Sequence, residues 1–406
     1  MVDILTKILS ISIFLLLILI IVKIICFSII IFSYKKECKH IGVNNSNATP
    51  YNIDIIIAAY NEEKVIIDTV DNLLKIDYKN FAICIVNDGS TDNTLSLIEK
   101  KFNNHCKVKI LSKKNEGKAE ALNYAISHTT SEIVVFLDAD THVKPNILKV
   151  ITRRFENLNV SALAGHLQVR ADSNLLTFSQ NIEYLSNLNF EREVFDKINT
   201  LTTIPGAICA YRRKELINIG KFNGDTLTED CDLTMKFLKQ GLKIKNEKKF
   251  IGYTEAPNSI RMFIRQRIRW NYGLLQNLIN HGKHLTINKL SNRYKLWLTF
   301  SYFWIFKILY TLIFAFADCL FLITLIFGFK SVHYYYLFVF ILETIITIFV
   351  LKKERTIENP KIYVFPLYKV IYRQLRSFSL IVALYKIVTR EKLIWKKIQR
   401  YNTNTI

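Results

Sequence analysis

The chain has 406 residues, half of them hydrophobic, and a formal net charge of +21. This length accommodates one sizeable catalytic domain with several membrane helices, and it excludes a string of independent soluble domains. A strongly basic composition is typical of nucleic-acid-binding proteins, but no known nucleic-acid-binding motif accompanies it here, and the basic residues cluster beside apolar segments. We therefore expect no nucleic-acid partner.

The first predicted element is a membrane helix. Residues 8–32 form an almost uninterrupted apolar run, which is long enough to cross a bilayer. A cleaved signal peptide has a shorter apolar stretch and a small-residue cleavage site, whereas this run ends in Tyr34-Lys35-Lys36. The pattern predicts an uncleaved N-terminal anchor over residues 1–34, followed by a linker over residues 35–50.

The seven cysteines are scattered without a C-x-x-C pair, so the sequence indicates neither a zinc site nor a disulfide framework. A reducing, cytosolic setting fits this pattern. We therefore interpret the glycosylation sequons at Asn44 and Asn47 as chance matches in an Asn-rich linker.

From Tyr51 onward, short apolar runs alternate with amphipathic ones, which indicates alternating strands and helices. The predicted strands and helices cover, in chain order, residues 54–59, 62–75, 81–86, 92–102, 108–111, 118–128 and 133–137. This order implies an α/β domain with a parallel sheet, in which ligands bind beyond the carboxyl ends of the strands.

Polar and acidic residues follow three of these strands. They are Asn61-Glu62 after the first strand, Asn87-Asp88-Gly89-Ser90 after the second and Asp138-Ala139-Asp140 after the fourth. The Asp-Gly-Ser segment alone is equally consistent with a turn that caps the next helix. Because all three clusters converge on one edge, we expect a functional site there. The chain lacks G-x-G-x-x-G after a strand and G-x-x-x-x-G-K-[ST], which argues against a dinucleotide oxidoreductase or a P-loop nucleotidase.

Asp138 and Asp140 form a D-x-D pair, whose two carboxylates are suited to binding a cation. A nucleoside diphosphate leaving group carries concentrated negative charge, and a divalent cation held by carboxylates can bridge its phosphates. Mg²⁺ and Mn²⁺ prefer such oxygen ligands. The pair therefore predicts a site for Mg²⁺ or Mn²⁺, with a solvated acidic turn as the alternative.

Four motifs together resemble the family 2 glycosyltransferases, and among them the processive membrane synthases of cellulose, chitin, hyaluronan and poly-N-acetylglucosamine. The motifs are Asp88-Gly89-Ser90, Asp138-Ala139-Asp140, Thr228-Glu229-Asp230 and Gln266-Arg267-Ile268-Arg269-Trp270. They occur in the family's order, and Q-x-x-R-W after T-E-D is the feature that favours the processive branch. The resemblance implies a GT-A (Rossmann-like) domain over residues 51–285 that ends in an amphipathic interfacial helix.

The resemblance implies that Asp230 is the general base, with Glu229 beside it as a second catalytic candidate and Asp232 as a further alternative. An inverting transfer needs a carboxylate that takes the proton from the attacking acceptor hydroxyl. Asp230 is the residue of this motif that we expect to do so.

The resemblance also implies the substrate contacts. Asp88 would bind the uracil or ribose of a UDP-sugar, Lys118 the nucleotide or its phosphates, and Asp138 the donor together with the metal. Gln266, Arg269 and Trp270 would lie near the diphosphate and the acceptor sugar, since a guanidinium balances phosphate charge and an indole offers an apolar face. An aromatic residue at the membrane interface is the alternative for Trp270.

Two further segments resemble family features of lower specificity. Ile204-Pro205-Gly206-Ala207 is similar to an acceptor-side loop, although an ordinary turn explains it almost as well. Gln180-Asn181-Ile182-Glu183-Tyr184 is similar to a helix that precedes this loop, and its residues favour packing over chemistry.

Residues 286–406 are predicted to form C-terminal membrane and interfacial helices with a basic tail. The apolar runs at residues 296–327 and 334–351 are two further predicted spans. The first of them is too long for one upright helix, so it should kink or begin at the interface. Residues 362–388 contain Arg373 and Arg376 and predict either a span or an amphipathic helix.

Basic residues beside the apolar runs place the catalytic domain in the cytoplasm of a multi-pass cell-membrane protein. The leading interpretation is an inverting synthase that transfers N-acetylglucosamine from UDP-N-acetylglucosamine to an extracellular polysaccharide. The tail at residues 395–400 resembles the end of poly-β-1,6-N-acetylglucosamine synthases. The alternatives are transfer of one or two sugars to a lipid and, less favoured, a non-enzymatic transporter. Membrane lipid and an accessory membrane subunit are the further expected partners.

Overall fold

The computed structural model describes residues 2–33, 51–171, 173–283, 290–326, 330–353, 360–391 and 393. Several sequence predictions lie outside the described residues. These are the linker at residues 35–50 with the sequons at Asn44 and Asn47, and the C-terminal tail at residues 395–400.

Within the described residues, eight strands form one mixed sheet in the order β3-β2-β1-β4-β7-β6-β8-β5. The strands are β1 Ile53–Ala59, β2 Phe81–Asp88, β3 Val108–Lys113, β4 Ile133–Leu137, β5 His142–Val143, β6 Val160–Val169, β7 Ile208–Arg212 and β8 Lys243–Thr254. The four predicted strands are confirmed to within two residues at each end.

The prediction of a parallel sheet holds for β1 to β4 and is wrong for the sheet as a whole. β1 pairs in parallel with β2 and β4, and β2 with β3. β7 runs antiparallel to β4, with Ile208 opposite Leu137. The reason is that the chain enters β7 at the carboxyl end of β4, where the Asp138 N–H donates to the Ala207 carbonyl at 3.3 Å, without first crossing back over the sheet.

The helices lie around this sheet and in a separate bundle. They are α1 Val2–Ser33, α2 Ile66–Leu74, α3 Thr94–Phe102, α4 Lys118–Ser127, α5 Ile147–Phe155, α6 Leu175–Glu183, α7 Phe190–Lys197, α8 Arg213–Asn218, α9 Glu229–Lys239, α10 Ile260–Gly282, α11 Leu290–Tyr302, α12 Tyr310–Ile326, α13 Lys330–Lys353 and α14 Phe365–Val388. Shorter segments of other helix types are the π-helical Tyr184–Asn189 and Phe303–Leu309 and the 3₁₀-helical Pro360–Tyr363.

Both faces of the sheet are covered by helices. Successive strand side chains point to opposite faces, so Ile55 and Ile57 pack with Val70 of α2 and Ile151 of α5, whereas Ile56 packs in the cluster on the other face. β1 is thus a nearly continuous apolar run because both of its faces are buried. This arrangement leaves the carboxyl edge of the sheet as the place where polar residues emerge.

Two candidate membrane spans, Lys7–Phe32 and Tyr294–Ile323, are long and apolar enough to cross a bilayer. The third predicted span coincides with α13, whose apolar stretch His333–Phe349 is shorter. The π-helical segment Phe303–Leu309 interrupts the long second candidate, which is the run that the sequence indicates is too long for one straight span. π-Helical turns are often found at functional sites.

α14 covers the segment predicted as either a span or an amphipathic helix, and it buries one side while large apolar side chains such as Ile371 and Phe378 stay exposed on the other. It packs along α10 and α12, and its Arg373 guanidinium is buried between Asp318 of α12, at 2.7 Å, and Glu343 of α13, at 2.6 Å. α10 packs between α14 and α9, and its expected position at the membrane surface stays a prediction. The helical bundle is therefore joined to the sheet domain through α10.

Candidate active site

A cavity of about 380 Å³ opens at the carboxyl edge of the sheet and extends to the helical bundle. Its wall contains nearly all the site residues expected from the sequence: Asp88, Lys118, Asp138, Glu229, Asp230, Gln266, Arg269 and Trp270. Asp140 is not among the wall residues. The structure thus brings these residues together, while their individual roles remain predictions.

Asp88 organises the loop before α4. Its carboxylate accepts hydrogen bonds from the backbone N–H groups of Glu116, at 3.1 Å, and Gly117, at 2.9 Å. Gly117 has a positive φ of 97°, which glycine adopts without strain. At Gly89 a Cβ would lie 2.7 Å from the backbone nitrogen of Asn115. Glycine at position 89 therefore lets the two loops meet and form one wall of the cavity.

Lys118, the first residue of α4, links two of the acidic motifs. Its ammonium lies 2.5 Å from a carboxylate oxygen of Asp138 and 3.6 Å from one of Glu229. Burial alone would lower the pKa of Lys118, but these two carboxylates outweigh it and raise the pKa. The lysine therefore carries a positive charge between the D-x-D and T-E-D motifs.

Asp140 is 1% exposed and is buried against Thr254 and Glu255 of the cavity wall. One of its carboxylate oxygens accepts hydrogen bonds from the Thr254 hydroxyl, at 3.2 Å, and the Glu255 N–H, at 3.3 Å, just beyond the end of β8. Asp138 lines the cavity and Asp140 does not, and the assignment of the two carboxylates to a cation at the donor stays a prediction. The turn after β4 directs Asp138 into the cavity and Asp140 towards β8.

The cavity fits a cation that is shared with a substrate. In the part of the chain that the structure describes, no group of three or more His, Cys, Asp and Glu side chains is arranged to hold a metal ion. Mg²⁺, however, is usually bound through one or two carboxylates plus substrate phosphates. Asp138 supplies such a carboxylate at the cavity wall.

Asp230 is held rigidly at the start of α9. Its carboxylate oxygens accept hydrogen bonds from the backbone N–H groups of Gly206, at 3.0 Å, and Cys231, at 2.8 Å. Burial and the neighbouring Glu229 carboxylate raise the pKa of Asp230 to about 6. A carboxylate with a pKa near the working pH is suited to general base catalysis.

Asp232, the further alternative for the base, lies elsewhere. Its carboxylate forms an ion pair with Lys236, at 2.8 Å, and a hydrogen bond with the His281 ring, at 2.8 Å, and it is not part of the cavity wall. The helical spacing explains this, because residues 230 and 232 project from α9 about 200° apart.

Helix α10, which carries the Q-x-x-R-W motif, packs closely against the T-E-D motif. A Cβ at Gly273 of α10 would lie 2.5 Å from the Thr228 hydroxyl oxygen, so glycine is needed for this approach. The Asn277 amide donates to the Thr228 carbonyl at 3.1 Å. The contacts place Trp270 and Asp230 on the same cavity.

Several wall residues were missed or undervalued by the sequence reasoning. The Arg267 guanidinium lies 4.3 Å from the centre of the Trp270 ring, and the Tyr184 ring lies 6.5 Å from it. Lys307 and Arg376 extend the wall into the helical bundle. Arg376 was noted with Arg373 in the sequence, whereas Lys307 could have been found by the same signal, a charged residue within an otherwise apolar segment.

The chain is similar in sequence to known sugar transferases. Residues 54–220 match the model of the family Glycosyl transferase family 2. Over 222 residues the chain is 31% identical to the poly-beta-1,6-N-acetyl-D-glucosamine synthases of Staphylococcus aureus and Staphylococcus epidermidis, with 54% of each chain covered. The chain thus spans about half the length of the curated relatives it matches.

A solved structure shows the same fold. The mannosyltransferase PcManGT from Pyrobaculum calidifontis, in complex with GDP-Man and Mn²⁺, superimposes with a TM-score of 0.60 at 19% identity, covering 93% of this chain and 100% of that one. At this level of identity the likeness establishes the fold alone, and it confirms the expected Rossmann-like GT-A architecture.

Proposed function

We propose that this chain, in which residues 54–220 form a glycosyl transferase family 2 domain, transfers N-acetylglucosamine from UDP-N-acetylglucosamine to a growing polysaccharide with inversion. One observation carries the proposal. A single cavity joins Lys118 and Asp138, suited to a nucleoside diphosphate, to a carboxylate with a pKa of about 6 at Asp230 and an aromatic face at Trp270. The relatives' names support the choice of sugar.

The donor end of the cavity handles the charge of the leaving group. Asp138 would hold Mg²⁺ or Mn²⁺ together with the donor phosphates, and the Lys118 ammonium lies beside it. When bound, the cation neutralises the charge that develops on the departing nucleoside diphosphate. Asp88 shapes this end through the loop that it holds, and its contact with the uracil or ribose is part of the proposal.

Asp230 performs the proton transfer. Its carboxylate takes the proton from the acceptor hydroxyl while that oxygen bonds to the anomeric carbon and the bond to the diphosphate breaks. The two backbone N–H groups hold the carboxylate in place without neutralising it. With a pKa of about 6, Asp230 is mostly ionised at pH 7 and is still a stronger base than an ordinary aspartate.

The acceptor binds on the far side of Asp230, where the indole of Trp270 offers an apolar face to a sugar ring. Gln266 and Arg269 line the same part of the wall. The cavity continues to Phe303 and Lys307, within a candidate membrane span. This continuity favours a membrane location, and the basic residues beside the apolar runs favour a cytoplasmic catalytic domain. The continuity also keeps a lipid-linked acceptor as the second candidate.

The deciding experiment uses the purified full chain in detergent, labelled UDP-N-acetylglucosamine, UDP-glucose and GDP-mannose, and size analysis of the products. We expect a polymer from UDP-N-acetylglucosamine, and dependence on Mg²⁺ or Mn²⁺. Asp138→Ala should abolish turnover and should weaken donor binding only when the cation is present. Asp71→Ala is the matched control and should leave activity unchanged, because Asp71 of α2 forms only an exposed pair with Lys101 of α3.

The outcomes separate the candidates. Lipid-soluble products carrying one or two sugars would favour the lipid acceptor. Absence of turnover with all three donors would contradict the proposal. Equal donor affinity with and without the cation would refute the metal role of Asp138.

A further inference from the structure

Glu183 is the meeting point of three helices. It is the last residue of α6, directly before the π-helical segment Tyr184–Asn189, and its side chain is 8% exposed. Its carboxylate lies 2.8 Å from the Arg267 guanidinium of α10 and 3.4 Å from that of Arg376 of α14. The Tyr372 hydroxyl, also on α14, donates a hydrogen bond to it.

The carboxylate is ionised in this setting. Burial would raise the pKa of Glu183, but the Arg267 and Arg376 guanidinium groups and the Tyr372 hydroxyl outweigh burial and lower it. A buried carboxylate that loses a cationic partner, or a buried guanidinium that loses its carboxylate, is left with an uncompensated charge. The positions of the two arginines are therefore tied to Glu183.

The same contacts define the surroundings of Trp270. Arg267, held by Glu183, lies over the indole at 4.3 Å from its centre. Tyr184, the next residue after Glu183, packs near the same ring with an interplanar angle of 31°. Glu183, Arg267, Trp270 and Arg376 all line the cavity. The orientation of the indole thus depends on one carboxylate that the donor does not need to contact.

We propose that Glu183 is a positioning residue of the acceptor subsite: it holds Arg267 against Trp270 and ties α10 to α14, so that a sugar ring of the acceptor meets an aromatic face of set orientation. The inference rests on the proposed function for the identity of the ligand. Glu183 acts through Arg267 and Trp270, and takes no part in bond making or proton transfer.

The kinetic test compares Glu183→Gln with wild type, using N-acetylglucosamine oligosaccharides as acceptors and hydrolysis of UDP-N-acetylglucosamine by water as the acceptor-free reaction. We expect KM for the oligosaccharide to rise about tenfold or more, the effect of losing a charge-assisted contact. Hydrolysis should change by less than about twofold, because the donor end is untouched. A loss of kcat with unchanged KM would overturn the proposal.

Glu247→Gln is the matched control. Glu247 is similarly buried, with 6% of its side chain exposed, and it pairs with a guanidinium, that of Arg154. Glu247 is not part of the cavity wall. This variant should leave both KM and hydrolysis unchanged. If it raised KM as much as Glu183→Gln does, the effect would be one of stability, and the proposal would be wrong.

A second variant tests the proposal even if Glu183→Gln does not fold. Arg267→Lys keeps a positive charge beside Glu183 but lacks the planar guanidinium over Trp270. It should fold and should raise KM for the oligosaccharide in the same way. An unchanged KM in a folded Arg267→Lys protein would contradict the role given to Arg267.

The last measurement needs no activity. With Trp297, Trp304 and Trp395 replaced by phenylalanine, Trp270 becomes the sole tryptophan, since the chain has four. Acrylamide should quench its fluorescence more strongly when Glu183→Gln is added to this single-tryptophan protein. The reason is that Arg267 no longer stays in place over the ring. If no donor supports turnover in wild type, the proposed function fails, and this measurement alone decides the inference. Equal quenching would overturn it.

Discussion

The two ends of the cavity hold their carboxylates in different ways. At the donor end, which comprises Asp88, Lys118 and Asp138, and at the adjoining base Asp230, backbone N–H groups bind two of the three carboxylates. At the end next to the candidate membrane spans, which we call the membrane end and which comprises Glu183, Lys307 and Arg376, carboxylates are held by cationic side chains. Glu191 behind this end binds Lys307 at 2.5 Å and Lys23 of α1 at 2.9 Å.

The difference indicates that the two ends of the cavity have different functions. Burial and the Glu229 carboxylate raise the pKa of Asp230 by more than its backbone N–H partners and Lys118 lower it, so Asp230 can accept a proton. A full positive charge instead lowers the pKa of the carboxylate that it faces, as at Glu183 and Glu191. The donor end and Asp230 are therefore suited to chemistry, and the membrane end to holding helices in register.

The largest expected effect comes from Asp230→Asn, which nearly preserves shape and removes the proton acceptor. Loss of a positioned general base typically costs about 10² to 10⁴ in rate, and we expect the upper part of this range. The loss should appear in turnover and not in donor affinity. Single-turnover transfer and donor binding, measured on the same preparation, check this expectation.

Trp270→Ala sharpens the contrast with Asp230→Asn. Loss of the sugar-binding face should impair chain extension more than hydrolysis of the donor by water. Near-normal polymer synthesis by Asp230→Asn would instead move the base to Glu229, which also lines the cavity.

Glu191→Gln should have the largest effect on stability. The substitution leaves Lys23 and Lys307 without their buried carboxylate, and breaking a buried pair costs about 3–5 kcal/mol. Thermal unfolding of the protein in detergent measures this loss. Glu116→Gln, at an exposed pair with Lys113, is the control and should cost about 1 kcal/mol or less. Equal losses of stability in Glu191→Gln and Glu116→Gln would contradict the proposal that the membrane end holds the helices together.

The pH dependence of this stability has a definite sign. Burial would raise the pKa of Glu191, but Lys23 and Lys307 outweigh it and lower the pKa to about 2, below the value of about 4.3 for an unperturbed glutamate. Its contribution is thus present above about pH 4.3 and is lost as the pH falls towards 2. The difference between wild type and Glu191→Gln should shrink over that window.

The smallest effect concerns the pH profile of transfer. Asp230 must be ionised to accept a proton, and burial together with Glu229 raises its pKa to about 6. The rate should therefore rise about tenfold between pH 5 and pH 7 and then level off. Glu183→Gln should keep this profile, because it alters the membrane end. A flat profile between pH 5 and pH 7 would argue against Asp230 as the base.

Much of the donor end could be predicted from the sequence, because it depends on local patterns. The apolar runs of β2 and β4 fix where these strands end: Asp88 is the last residue of β2, and Asp138 directly follows β4. The pattern could not show which way a side chain turns after its strand. Asp140, two residues beyond Asp138, is directed to Thr254 of β8, which lies more than a hundred residues away.

By itself, the amino-acid sequence determined the α/β class, the parallel pairing of the first four strands and the motifs that converge on one edge, since hydrophobic periodicity acts over a few residues. The antiparallel β7, the pairing of Asp232 with His281 and the contacts of Glu183 were decided only by the tertiary structure. The physical reason is that burying a charge requires a partner, and the choice of partner depends on which helices pack together.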